Sequence, residues 1–208
     1  MKSSIRKSPS EYRHGDLRNA LIATAREELA AGKYETLSVR ELARRAGVAA
    51  NAFYRHFESK EAILAALATE GFEELTARFD ALPALTPKQR LCLMSDTYTG
   101  FAEEHPAQYR LMFGCAKASL MEHSALHDAA TGCFGRLVAA TIAVSGSGGP
   151  EDPQTLQRAL DIWSLVHGWS LLRIDGVTSF LPPTPVRPAS VATEAIIENW
   201  SRESWSHP

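Results

Sequence analysis

No stretch of this 208-residue chain approaches the roughly 18 uninterrupted apolar residues that a membrane-crossing helix needs, so no span is expected. The opening run, MKSSIRKSPSEYRHGD, is basic and polar and carries no apolar segment of the secretory kind. A cytoplasmic location is therefore the expectation. Cysteine is scarce: Cys92, Cys115 and Cys133 form no C-x-x-C pair, and their odd number predicts reduced thiols rather than a disulfide framework. Each lies within an apolar pattern and reads as a small buried hydrophobe. A G-x-S-x-G elbow, a P-loop and a dinucleotide fingerprint are all missing, which removes the readiest routes to an enzyme.

What remains is ample for a core. Hydrophobic residues make up 45% of the chain, enough for one large domain or a small one beside a larger one. The net charge of −2 hides an asymmetry. Residues 1–60 hold 12 Lys/Arg and 7 Asp/Glu, net +5, whereas residues 61–208 hold 10 and 17, net −7. A basic N-terminal unit on an acidic body suits a polyanionic partner for the first and not for the second.

The basic unit contains the most informative segment, Leu37 to Glu61, LSVRELARRAGVAANAFYRHFESKE. Val39, Leu42, Ala43 and Ala46 form one apolar stripe and Ala50, Phe53, Tyr54 and Phe57 a second, both at helical spacing. Gly47 between them permits a positive φ and a sharp turn, and Val48 can plug the angle, as a helix-turn-helix requires. A first helix is predicted over about 16–31 and a second over 38–46, where Ser38 and Glu41 have capping-box spacing. The third, over 50–56, is too short to be stable alone and depends on Phe53 and Phe57. Ser59 opens a fourth that runs to about Leu82. Further helices are predicted over 88–104, 107–113 with a possible extension over 116–121, 124–144, 154–174 and 191–201. The expected fold class is all-α: a three-helix N-terminal unit joined by a long fourth helix to a helical C-terminal body.

The run Leu37-Ser38-x-Arg40-x-Leu42-Ala43-x-x-Ala46-Gly47-Val48, followed by Phe53-Tyr54-x-x-Phe57-x-Ser59-Lys60-Glu61-x-x-Leu64, resembles the DNA-binding domain of the TetR family of transcriptional repressors. Downstream, HPAQYRLMFG at 105–114 and Trp163 with His167-Gly168 resemble the subfamily whose regulatory domain is named for a Trp-His-Gly motif. The resemblance spans nearly the whole chain. It departs from the family pattern at Ala49, where Ser or Thr is common, and at His56, where an aromatic precedes the phenylalanine. It implies a homodimeric transcription regulator that is not an enzyme, needs no cofactor, binds a palindromic double-stranded operator and is released by a small-molecule effector.

On that reading the third helix enters the major groove with Ala49, Ala50, Asn51, Arg55 and Tyr54 toward the bases. Asn51 suits adenine and Arg55 guanine, each for about 1–3 kcal/mol of discrimination, while Ala50 and Ala52 offer methyl contacts. By analogy with the family, Tyr54, His56 and Lys60 hold phosphates, with Ser38, Arg40, Arg44 and Arg45 as further candidates. The alanine at 49 forgoes a cap worth roughly 1 kcal/mol.

The body is expected to carry a ligand cavity lined by Tyr98, Phe101, Tyr109, Met112, Phe113, Phe134, Trp163 and His167, with Met121 as a further lining candidate. Its last two helices form the expected dimer seam, through Trp169, Leu172, Ile196, Ile197 and Trp200. The resulting division is 1–13 basic arm, 14–60 DNA-binding unit, 61–204 regulatory and dimerisation domain, and 205–208, Trp-Ser-His-Pro, the beginning of a purification tag. A competing reading is a helical metal enzyme or metal sensor built on His123 and His127, four residues apart, with Cys115 or Cys133 as a third ligand.

Overall fold

The computed structural model describes residues 14–33, 38–114, 122–177 and 187–200, and among them the chain forms nine α-helices and no strand. Helix α1 is His14–Ala30, α2 Val39–Arg45, α3 Ala50–Phe53, α4 Lys60–Asp80, α5 Pro87–Glu104, α6 Pro106–Gly114, α7 Ser124–Ser145, α8 Pro153–Ile174 and α9 Ala189–Trp200. None of them is long and apolar enough to cross a membrane. The basic arm, the segment 115–121 with Cys115 and Met121, and the final residues 201–208 lie outside the described residues.

The first three helices close around a small core. Leu21, Ile22, Ala25 and Leu29 of α1 are buried with Leu42 and Ala43 of α2 and with Phe53 and Phe57. Ser38 caps α2 by accepting from the Glu41 N–H at 3.2 Å. The reciprocal half of a capping box is not made, because the Glu41 carboxylate accepts from Arg44 and Arg45 instead. Gly47 at φ 74° supplies the turn, and the Val48 N–H returns to the Ala43 carbonyl.

Helix α3 is one turn long and shorter than its stripe predicts. Residues 54–56 continue as a turn, in which the Phe57 N–H still reaches the Phe53 carbonyl at 3.0 Å. Its cap residue Ala49 offers no side-chain acceptor, so packing alone holds it. The Phe53 ring is fully buried and lies 5.7 Å from that of Phe57, over which the Arg18 guanidinium sits at 5.3 Å.

Helix α4 begins at the Ser59 cap, whose hydroxyl accepts from the Ala62 N–H at 3.1 Å. It then runs through both halves of the molecule. Arg26 of α1 pairs with Glu70 at 2.7 Å, and at its far end Asp80 takes two 2.9 Å bonds from Arg136 of α7. Helix α6 crosses α4 at Gly71, where a Cβ would stand 2.5 Å from Met112 Sδ, and Gln108 donates to the Leu67 carbonyl at 3.1 Å. Helices α5, α7, α8 and α9 complete the body, with a capping box at Thr86–Gln89 starting α5 and Asp152 capping α8.

The C-terminal helix differs from expectation. Trp200, expected on an outward seam, is only 8% exposed and lies under the Arg158 guanidinium at 5.0 Å. Ile196 and Ile197 pack partly against the protomer's own core, because α9 lies along α5 and is tied to it by the Thr193–Ser95 bond at 2.8 Å. The large apolar side chains left outward here are Leu160 and Leu172 of α8 and Val191 of α9, with Trp169 half-buried.

Truncating Phe53 to Ala should cost about 3–5 kcal/mol, the usual range for emptying a buried aromatic site. Ala49→Ser should instead stabilise by about 1 kcal/mol through the missing cap. Urea unfolding at one fixed protein concentration checks both, and a neutral Phe53→Ala would refute the anchoring role.

Candidate functional site

Two surfaces stand out, one on the headpiece and one inside the body. On the headpiece, burial of Phe53 and Phe57 fixes which way α3 faces. Ala49, Asn51, Tyr54 and Arg55 are exposed, and Ala50, Ala52 and His56 are half-buried. Tyr54 is 55% exposed and stands edge-on to Phe53 with ring centroids 5.5 Å apart. Tyr54 is thus exposed on the same short segment as Asn51 and Arg55. Lys60 is the first residue of α4, at a helix N-terminus where the free N–H groups favour an anion.

The arginines of α2 divide. Arg40 and Arg44 are exposed, and Arg44 forms a two-point pair with Glu41 at 2.6 and 2.8 Å. Bonds from Arg44 and then Arg45 hold the Glu41 carboxyl well below the usual carboxylate range. Arg45 turns back into the headpiece, where it pairs with Glu28, a carboxylate only 4% exposed. It is exposed like the other two, with 40% of its side chain accessible, but it is engaged by a buried carboxylate and serves as a structural cation. The Ser38 hydroxyl is likewise committed as a helix cap.

Inside the body, helices α4 to α8 enclose a cavity of about 440 Å³. Of the residues expected to line it, Tyr98, Met112, Phe113, Phe134, Trp163 and His167 do so. Phe101 does not: it is fully buried beneath the Arg78 guanidinium, 5.2 Å from the ring centroid, and beside His105. Tyr109 is also fully buried behind the wall, where its hydroxyl reaches His167 Nδ1 at 2.7 Å and the Tyr98 hydroxyl at 3.0 Å. Tyr98 lies 3.1 Å from the same Nδ1 and accepts from Trp163 Nε1 at 3.1 Å. Phe72 and Phe79 of α4, Met94 of α5, and Cys133 and Leu137 of α7 also line the cavity and were not read from the sequence as lining residues. The seven-residue interval between the two phenylalanines, which puts them on one helical face, was the available signal.

Burial sets the protonation of this wall. It pushes the Tyr98 hydroxyl far above its ordinary value, the Tyr109 hydroxyl up to about 12 and the Cys133 thiol up to about 11. It also lowers the His167 imidazole, which is therefore neutral near pH 7. The wall is an uncharged polar cluster within an apolar chamber.

The histidine pair reads differently in the structure. His123 is the residue before α7, with extended backbone, and Ser124 starts the helix between it and His127. The two do not share the helix face on which the metal reading rested. Among the described residues, no group of three His, Cys, Asp or Glu side chains is placed to hold a metal ion.

With both surfaces in place, comparison with known proteins is direct. Residues 21–67 match the profile of bacterial regulatory proteins of the tetR family, and residues 91–196 match that of the tetracyclin repressor-like C-terminal domain. The chain belongs to the TetR family. An uncharacterised HTH-type transcriptional regulator of Mycobacterium tuberculosis is 26% identical over 145 residues, which span 69% of this chain and 64% of that relative's length. A solved structure of a protein of unknown function from Rhodococcus sp. RHA1 is 27% identical, with a TM-score of 0.70, and the match covers 94% of this chain and 98% of that one. A TetR-family transcriptional regulator from Bordetella parapertussis shares the fold at 16% identity and a TM-score of 0.59, covering 89% of this chain and 94% of the other.

The lowered His167 pKa makes a pH prediction with a definite sign. Below its ordinary value of 6.5 the unfolded chain takes up the proton before the folded one does, so stability falls as pH drops from about 6.5 toward the folded pKa. The melting temperature should fall more steeply between pH 7.5 and 5.5 for the native chain than for His167→Gln, which cannot titrate there. Equal slopes would mean that the imidazole charges freely in the fold.

Proposed function

We propose that this TetR-family chain is a sequence-specific DNA-binding transcription regulator, a repressor released from a palindromic operator by a small molecule held in the body cavity. The observation that carries the proposal is the two-sidedness of α3. Phe53 and Phe57 are buried, while Asn51, Tyr54 and Arg55 stand outward on the basic part of the chain. Asn51 and Arg55 read base edges, since an amide can bond adenine and a guanidinium guanine at two points each. Tyr54, His56, Lys60, Ser38, Arg40 and Arg44 locate the phosphate backbone, Ser38 through the helix N-terminus it caps. Ala49 and Ala50 allow close approach and methyl contact. The DNA-binding unit is taken as residues 14–60 and the regulatory and dimerisation body as 61–204, and the regulator acts in the cytoplasm.

The body is further read as the Trp-His-Gly type, supported by Trp163 and His167 lining the same cavity with ring centroids 5.9 Å apart. Two protomers pair through α8 and α9. The outward Leu160, Leu172 and Val191 supply apolar area, and the two recognition helices face half-sites about 34–36 Å apart. Release works as a population shift. A ligand contacting Met112 and Phe113 of α6 moves the helix that packs on Gly71 of α4, and the released state must bind the ligand more tightly than the operator-bound one.

Binding to palindromes from the promoter region of its own gene, measured at several salt concentrations, tests the reading. A sequence preference with a steep salt slope is expected, and the absence of both would sink it. Tyr54→Ala should weaken operator and unrelated DNA alike. Asn51→Ala should cost about 1–3 kcal/mol and relax the preference at one base position. If the two variants behaved identically, the division into locating and reading residues would be wrong.

A further inference from the structure

The effector's chemistry follows from the cavity wall, an inference that rests on the reading of that cavity as the effector site. We propose that the ligand is an uncharged, ring-containing hydrophobic molecule with one hydrogen-bond acceptor, and that the acceptor meets the Nε2–H of His167.

Among the described residues lining the cavity there is no Lys, Arg, Asp or Glu. Arginines of the flanking helices are engaged within the fold, Arg78 with Glu74 and Glu104, Arg136 with Asp80 and Arg90 with the Phe79 carbonyl. Cys133, with its thiol pKa raised by burial, stays neutral and supplies no anion for a cationic ligand. A carboxylate, phosphate or ammonium group would lose its water here and gain no counter-charge.

Apart from the exposed Ser164, the polar groups of the wall specify an acceptor. The Ser95 hydroxyl donates to the Leu91 carbonyl and accepts from Thr193, so it is spent within the fold. Around His167 the protons can be counted. The indole N–H of Trp163 goes to the Tyr98 oxygen, and the two phenols lie 3.0 Å from one another and 3.1 and 2.7 Å from Nδ1. If Nδ1 accepts from a phenol, one phenol donates to the ring and the other to its neighbour, and no donor in the cluster is wasted. The opposite tautomer places a third proton among the same three atoms, and one phenol must then turn out of the cluster to the Ser170 hydroxyl beside Tyr109. The tautomer that keeps both phenol protons within the cluster carries the ring proton on Nε2, and His167 lines the cavity. Around it the surfaces are flat and apolar: Phe113 stands edge-on to the imidazole at 4.9 Å and Phe134 packs on Trp163 at 5.6 Å. Rings stack well against such walls.

Three probes of one shape separate the parts of the proposal. Benzophenone has two rings and a carbonyl, diphenylmethane has the rings alone, and 4-benzoylbenzoate adds a carboxylate. Equilibrium dialysis against the full-length protein without DNA should rank benzophenone first, about three- to tenfold tighter than diphenylmethane and at least about tenfold tighter than the carboxylate. His167→Phe, its fold checked by circular dichroism, should lose the preference for the ketone and bind benzophenone and diphenylmethane with equal affinity. The native ranking stands as a test by itself should that variant fail to fold. A carboxylate that binds as tightly as the ketone, a ketone preference that survives in His167→Phe, or binding of none of the three overturns the proposal. Because no DNA is present, a chain that passes this test and binds no operator would defeat the regulator reading alone.

Discussion

Neither half of the molecule can by itself cover the apolar surface of α4. Ile63, Leu64, Ala65, Leu67 and Ala68 leave almost no polar side in its first turns, and Phe72, Leu75 and Phe79 continue the buried face to its end. A helix apolar on several sides must be packed on several sides. Helix α4 meets α1 at Glu70, α6 at Leu67 and Gly71, and α7 at Asp80. Each large side chain so buried contributes about 1.5–3 kcal/mol, so separating α4 from either half would forfeit several such terms. The two halves are therefore one continuous core, and the headpiece orientation is a property of how α4 is seated.

The seating is most exacting where α6 crosses α4. Gly71 is the one α4 residue without a side chain at that point, and Met112 occupies the space a Cβ would take. The next residue on α6, Phe113, stands edge-on to Phe72 at 5.2 Å and also faces the cavity. At its other edges α6 is held by the Tyr109–His167 bond and by Arg110, which pairs with Asp175 at 2.6 Å just beyond α8. One nine-residue helix thus touches the cavity, α8 and the headpiece support. Close packing leaves little room for small continuous adjustments, so under the proposed effector reading a change in cavity contents would be expressed as a shift of α6 between packed arrangements.

The local parts of this arrangement were legible in the residues. Apolar spacing located the helices, and Ser38, Gly47 and Ser59 marked their ends because a cap or a positive φ is a short-range matter. What stayed hidden depends on residues far apart in sequence. The Tyr98–Tyr109–His167 cluster joins positions up to 69 residues apart, and Arg45 meets Glu28 17 residues upstream. The stripe through Phe57 could not say that helical geometry stops at Phe53, since that is set by the packing of Phe53 and Phe57 against the headpiece core. Trp200 is the clearest case. A periodic stripe tells which face of a helix is apolar but not whose surface covers it, and here Arg158 of the same chain lies over the Trp200 ring.

The same distinction bears on how the headpiece can meet a polyanion. Three arginines lie within α2, and counting them from the sequence makes all three equal. The Arg44–Glu41 pair is exposed on both sides, with 69% and 36% of the two side chains accessible, and such a pair is held only weakly in water. A phosphate can take Arg44 from Glu41 at little cost. Arg45 is another matter, because its release would leave the carboxylate of Glu28 buried without a partner. The charge that holds the fold is then not available to the ligand. Under the proposed DNA-binding function, the counterions released on binding, and with them the salt dependence of affinity, should follow Arg40 and Arg44 but not Arg45. The Arg45–Glu28 pair cancels within the +5 written in residues 1–60, so pairing leaves that net charge unchanged and decides only which of the basic side chains can reach a ligand.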